Sequence, residues 1–149
     1  MSNQIAISSR SYSISDAAVD GLLRGLMAGS AMLFYLMIAV LTLNESPLTL
    51  LSRFARIEQT SPALGFAAHM GMSAVYGILF MLLWRLLERK VPGNLALIVG
   101  IVYGIVLFVA AELILLPAAQ SPILQIPAIH FGIGHVIYGF VLGYLTRRK

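Results

Sequence analysis

Four ionisable side chains stand inside otherwise apolar stretches of this 149-residue chain: His69, Glu112, His130 and His135. An imidazole exchanges a proton near neutral pH and ligates metals through either ring nitrogen. A carboxylate beside it would orient the ring, complete a metal site or carry a proton. Three kinds of chemistry are open to such a cluster. The first is a structural polar network, with Glu112 paired to a histidine and Tyr76 or Tyr138 completing the hydrogen bonds. The second is a prosthetic group. Neutral imidazoles at His69 and His135, on different helices, would bind haem iron or a pigment metal axially, with His130 as an alternative ligand; His69, Glu112 and His135 would instead hold zinc or copper. The third is proton or ion handling, against which stands the lack of acidic residues to continue a path beyond the cluster.

Helical rotation limits which of these groups can meet. His69 shares a face with Gly65, Ser73 and Tyr76, and His135 shares one with Gly139 and Leu142. His130, five positions before His135, is turned about 140° away from it on a regular helix. Glu112 lies on the face of Ile101, Ile105 and Phe108, and its rotation relative to the histidines is not fixed by spacing. Enzyme chemistry has little to build on. Ser73 follows His69 by four residues, but no acid at a defined offset orients that imidazole. Neither a phosphate-cradling glycine loop nor an H-E-x-x-H run is present. No catalytic residue is expected.

The elements that must position these groups follow from composition. The chain is 59% hydrophobic and 11% charged, with a mean hydropathy of +0.89. An ordinary soluble domain carries about a quarter charged residues, so the natural solvent here is a bilayer. A crossing helix needs about 20 apolar residues. The gaps between charges give four such spans, at about 22–44, 62–84, 94–116 and 128–146, the last two separated by Pro117, Pro122 and Pro127. No long alternation of apolar and polar residues suggests a membrane barrel. The fold class is therefore all-α: an integral membrane four-helix bundle spanning residues 21–146. Residues 1–20, with six serines, read as a flexible polar cytoplasmic tail rather than a signal peptide. Residues 46–58 read as a short interfacial helix in the first outer loop, opened by Ser46 and Pro47, with Arg53, Arg56 and Glu58 facing water. The apolar, proline-rich loop from Leu116 to Pro127 should fold back over the bundle, because lipid cannot satisfy its backbone.

Basic residues set the orientation. Arg10, Arg24, Arg85, Arg89, Lys90, Arg147, Arg148 and Lys149 fall on one side and only Arg53 and Arg56 on the other, a bias of eight to two that places both termini in the cytoplasm. The basic end, closed by residues 147–149, suits anionic lipid. Asp20 and Arg24 are four apart and should pair. The scatter of the ten basic residues speaks against nucleic acid, despite a pI near 9.8. With no cysteine, neither disulfides nor thiolate ligands are available.

Lipid supplies no hydrophobic force between helices, so small residues must let them approach closely. Each span carries such a seam: Gly21, Gly25 and Gly29; Gly65, Ser73 and Gly77; Gly100 and Gly104; Gly139 and Gly143. Tyr76, Tyr103 and Tyr138 each precede a seam glycine, with hydroxyls that need partners in an apolar medium.

A glycine-rich first span, Ala68-His69-Met70-Gly71 leading into Tyr76-Gly77, a third span closing on proline, and His130 or His135 leading into Tyr138-Gly139 form a recognisable order. Over roughly Gly21 to Leu145 it resembles uncharacterised bacterial four-span inner-membrane proteins of the YagU-like type. That resemblance implies a multi-pass bacterial inner-membrane protein of unassigned activity, whose shared polar features are the histidines near the starts of the second and fourth spans. With almost no soluble domain, the leading expectation is action by association, as an accessory or scaffold subunit of a larger membrane complex or through self-association. The alternatives are a haem-, pigment- or metal-binding redox or sensing subunit and a small proton-linked transporter.

Overall fold

A computed structural model describes residues 13–55 and 61–147. Among them every regular element is helical. The first span is α1 (Ile14–Thr42), followed by the short α2 (Pro47–Phe54) and the second span α3 (Pro62–Leu87). The third span, α4 (Gly93–Ala118), opens with one tight turn and passes through a wide turn at Ala111–Leu115; the fourth is α5 (Ala128–Thr146). All four long helices have the length and apolar content to cross a membrane.

Helix ends follow local chemistry. Ser13 and Asp16 form a reciprocal capping box, with Asp16 N–H donating to Ser13 Oγ at 3.1 Å and Ser13 N–H to Asp16 Oδ2 at 2.7 Å. This cap starts α1 eight residues earlier than the expected 22, so residues 14–20 are helix and only residues 1–12 of the expected tail lie outside the described residues. The acids there hide the start, because charge ends an apolar run without ending a helix. Ser46 caps α2 as expected, but Arg56 and Glu58 lie outside the described residues. Asn44 (φ 59°) and Gln120 (φ 49°) take left-handed conformations just past α1 and α4, where that geometry returns amides to the last carbonyls. Near the end of α4, Pro117 has no amide to donate, and Leu116 N–H reaches back five residues to Ala111 O.

The spans are ordered α3, α1, α5, α4 across the bundle. Close seams join α1 to α3 and α4 to α5, α1 packs against α5, and α3 meets α4 only sparingly. Glycine makes the two seams possible. A Cβ on Gly25 would meet Ser73 O and lie 2.9 Å from Gly77 Cα; one on Gly100 would meet Gly139 O and lie 2.7 Å from Gly143 Cα. Gly21 and Gly29 join the first seam against Gly77 and Ser73, and Gly104 the second against the His135 carbonyl. Gly65 departs from the expected seam. Its close neighbour is the Leu51 carbonyl, so it admits α2 against α3 rather than a spanning helix. Leu50 and Leu51 are buried there. The loop 122–125 packs on α2 and buries Ile126, folding back over the bundle end.

Candidate functional site

Because α3 and α4 barely touch, a cavity of about 360 Å³ remains between them at the end that carries α2. Its inner walls include His69, Ser73 and Tyr76 of α3, Leu107 and Ala111 of α4, and Phe131, His135 and Tyr138 of α5; Arg53 and Phe54 of α2 lie across its end. Toward the other end of the bundle, Tyr103 on α4 donates to Tyr76 O on α3 at 2.8 Å and packs on Phe80 with ring centroids 5.2 Å apart. That contact ties the two helices together on the far side of the opening. The wide turn at Ala111–Leu115 supplies part of the wall.

Both cavity histidines are buried, each 6% exposed. Their tautomers follow from their acceptors. His69 Nε2 donates to the Gly29 carbonyl at 3.0 Å, a contact that exists because glycine lets α1 close on α3. His69 Nδ1 is thereby left as the lone-pair nitrogen. His135 Nδ1 donates to Phe131 O at 2.9 Å, one turn back on its own helix, which leaves Nε2 as the lone-pair nitrogen. Aromatic edges hold both rings: Phe54 against His69 at 4.8 Å and Phe131 against His135 at 4.5 Å between centroids. Tyr138 donates to Ser73 O at 2.6 Å and Ser73 donates to His69 O at 2.8 Å, so α5 and α3 are linked beneath the imidazoles.

The structure thus brings His69 and His135 to one cavity and separates the other two candidates from it. His130 turns to α1, its Nδ1 lying 3.0 Å from the Tyr35 hydroxyl, in keeping with the rotation expected from its spacing. Glu112 does not line the cavity and has no hydrogen-bond or ion-pair partner among the described residues. Two expectations change as a result. The polar network contains no Glu112–histidine pair; backbone carbonyls of Gly29 and Phe131 satisfy the imidazoles instead. The metal triad His69, Glu112 and His135 is not assembled, and among the described residues no three His, Asp or Glu side chains are grouped to hold an ion. The rotation of α4 is set by its glycine seam with α5, which brings Leu107 and Ala111 to the cavity and leaves Glu112, one residue further round the helix, outside it. A haem iron or single metal would find His135 Nε2 available, whereas His69 offers Nδ1 while its Nε2 serves Gly29.

Arg53 is the residue that sequence reasoning misplaced. Rather than facing water, its side chain is 11% exposed, lies 2.7 Å from Glu45 Oε2, and lines the cavity. The ion-pair distance is short, but the angle is poor for a hydrogen bond, and both Nε and Nη1 lack acceptors. The available signal was Glu45 eight residues before Arg53, two helical turns away across the Ser46 cap.

Fold and site together define a small four-helix membrane protein with a laterally placed, histidine-lined cavity. Residues 15–149 match a family of unknown function, DUF6789, and the chain belongs to that family. That match agrees with the expectation of an uncharacterised family but shows no link to YagU-like proteins. No curated protein and no solved structure matches the chain.

Proposed function

We propose that this protein is a membrane-embedded binding subunit that holds a lipid-soluble group in the cavity between α3 and α4. One observation carries this reading: two buried imidazoles line a single cavity, each with one nitrogen committed to a backbone carbonyl and the other without a partner among the described residues. A ring nitrogen left free at a cavity wall offers its lone pair to the group that fills the cavity. Volume and lining also suit a small-molecule site, since about 360 Å³ lies within the usual range of ligand pockets and most of the surface is apolar. A fitting occupant would place a hydroxyl on a histidine lone pair, a carbonyl or acid oxygen on Arg53, and an apolar remainder along Leu107, Ala111 and Leu115. A haem, pigment or metal ion bound through His135 is the cofactor version of the same proposal. The eight-to-two distribution of basic residues supports a cytoplasmic placement of the basic end, in the bacterial inner membrane expected from the sequence resemblance.

Protein purified in mild detergent should carry a lipid-soluble small molecule, detectable by mass spectrometry of an organic extract, at near one per chain. A visible spectrum and metal analysis of the same sample separate the cofactor version from an organic ligand. Protein that comes through free of any such molecule, colourless and without metal, would refute the proposal.

A second reading, association with another membrane subunit or a second copy, is favoured by α4. Only 17% of its most apolar stretch is buried, against 44% for α1, and it carries Glu112 without a partner among the described residues. An acid facing hydrocarbon is costly, and a polar group on a neighbouring helix would relieve that cost.

A further inference from the structure

At the opposite end of the bundle a second cavity, of about 260 Å³, is lined by arginines from three places: Arg24 on α1, Arg85 on α3 and Arg147 just beyond α5. Asp20 and Glu88 also line it, so the formal balance of the charged lining is three positive against two negative. Arg24 is fixed in place, donating to Thr146 Oγ1 at 3.0 Å and Met81 Sδ at 3.4 Å and pairing with Asp20 at 3.3 Å. Arg147 lies over the Tyr144 ring at 4.8 Å, which holds its guanidinium beside the helix end. Arg85 is different. Its Nη1 is shielded from solvent and has no acceptor among the described residues, although the side chain lines the cavity.

A shielded guanidinium N–H without an acceptor is costly to maintain. Anionic oxygens are the partner that suits it best, because Arg85 is a permanent cation whose planar donors match phosphate geometry. Trp84 and Met81 form the apolar side of the same cavity, near the C-terminal end of α3, and tryptophan is the residue type that favours the passage from hydrocarbon to headgroups. We infer that this cavity is a phosphate-binding site built from Arg24, Arg85 and Arg147, and that it takes the phosphate of an anionic phospholipid whose acyl chains lie in the adjoining bilayer. Basic pockets between spanning helices recognise lipid headgroups by this chemistry. The two acids bound its affinity and favour a single phosphate over a more extended polyanion. The site is independent of the histidine cavity and survives failure of that proposal.

Native mass spectrometry of the full chain tests it, with phosphatidylglycerol as probe, a neutral diacylglycerol as control and inorganic phosphate as competitor. The expected result is one tightly retained phosphatidylglycerol and no retained diacylglycerol. Arg85→Gln should weaken retention about tenfold, in line with one lost charge-assisted contact. Arg147→Gln should act in the same direction without disturbing the bonds that Arg24 makes across the bundle. Arg89→Gln, an exposed basic residue outside the cavity, should leave retention unchanged. Competition by millimolar inorganic phosphate would assign the site to free phosphate, and its failure to compete would assign it to the lipid. Equal retention of phosphatidylglycerol and diacylglycerol, or equal losses in Arg89→Gln, Arg85→Gln and Arg147→Gln, would overturn the inference.

Discussion

Each histidine of the cavity is held by one short hydrogen bond whose acceptor is a backbone carbonyl, and that choice decides what the ring can do. A carbonyl acceptor fixes the tautomer without adding charge, so both imidazoles present a neutral lone pair toward any ligand. A carboxylate in the same role would have drawn each ring toward the charged form. Tyr138 is the keystone beneath them, because its hydroxyl ties α5 to the Ser73 carbonyl on α3. Tyr138→Phe should therefore lower stability by about 0.6 to 1.5 kcal/mol, the range for hydrogen bonds in membrane bundles and buried sites. Reversible unfolding in mixed micelles would measure it, and an unchanged unfolding midpoint would count against that bond. The identities of the cavity histidines were legible in the sequence, since ionisable residues in apolar spans are few. Their acceptors were not. Gly29 O and Phe131 O are peptide groups present at every position, and only the packing of α1 on α3 and the local turn of α5 single them out.

Among the elements, the glycine seams determine where the cavity can form. Two pairs of helices, α1 with α3 and α4 with α5, approach so closely that backbone meets backbone, and the remaining α3–α4 side is left open. Gly25→Ala or Gly139→Ala would place a side-chain carbon where backbone atoms now stand, with an expected cost of about 1–3 kcal/mol. Gly71→Ala is the matched control, since nothing lies within 4 Å of the added carbon. Comparison of their unfolding midpoints checks the assignment; equal loss at Gly71 and Gly25 would contradict it. The four-residue spacing of these glycines made the seams readable in advance. Which seam faces which, and that Gly65 serves α2, depended on tertiary contacts that no single helix encodes. Arg53 shows the same limit. Its charge suggested water, yet the docking of α2 over the bundle turned it toward Glu45 and the cavity.

On the scale of the whole molecule, charge is segregated by both position and partner. Cations at the basic end gather around one cavity, while the other end keeps its described ion pair, Glu45 with Arg53, above the histidines. Reporter fusions should place both termini in the cytoplasm; a periplasmic signal at either end would overturn that orientation. The exposed face of α4 makes a separate prediction. Because the chain has no cysteine, Leu113→Cys provides a single exposed thiol beside Glu112 and leaves that acid in place. A lipid-soluble crosslinker at that thiol should capture a second copy or a neighbouring subunit in native membranes, and adducts to lipid alone would leave α4 without a protein partner. Four spans and a bundle were readable from composition because hydrocarbon tolerates few charges. The lateral opening was not, since it arises from a contact that fails to form.

The most direct test of the binding account compares the small molecule retained by the unaltered protein with that retained when the cavity is filled or its lone pair removed. Ala111→Phe adds a ring to the cavity wall, and His135→Leu deletes the available Nε2 while keeping an apolar side chain of moderate size. Quantitative mass spectrometry of organic extracts, with folding checked by size-exclusion chromatography, should show near one molecule per chain in the unaltered protein and at least about a tenfold loss in both variants. Identical extracts from all three well-folded proteins would contradict a ligand held in this cavity.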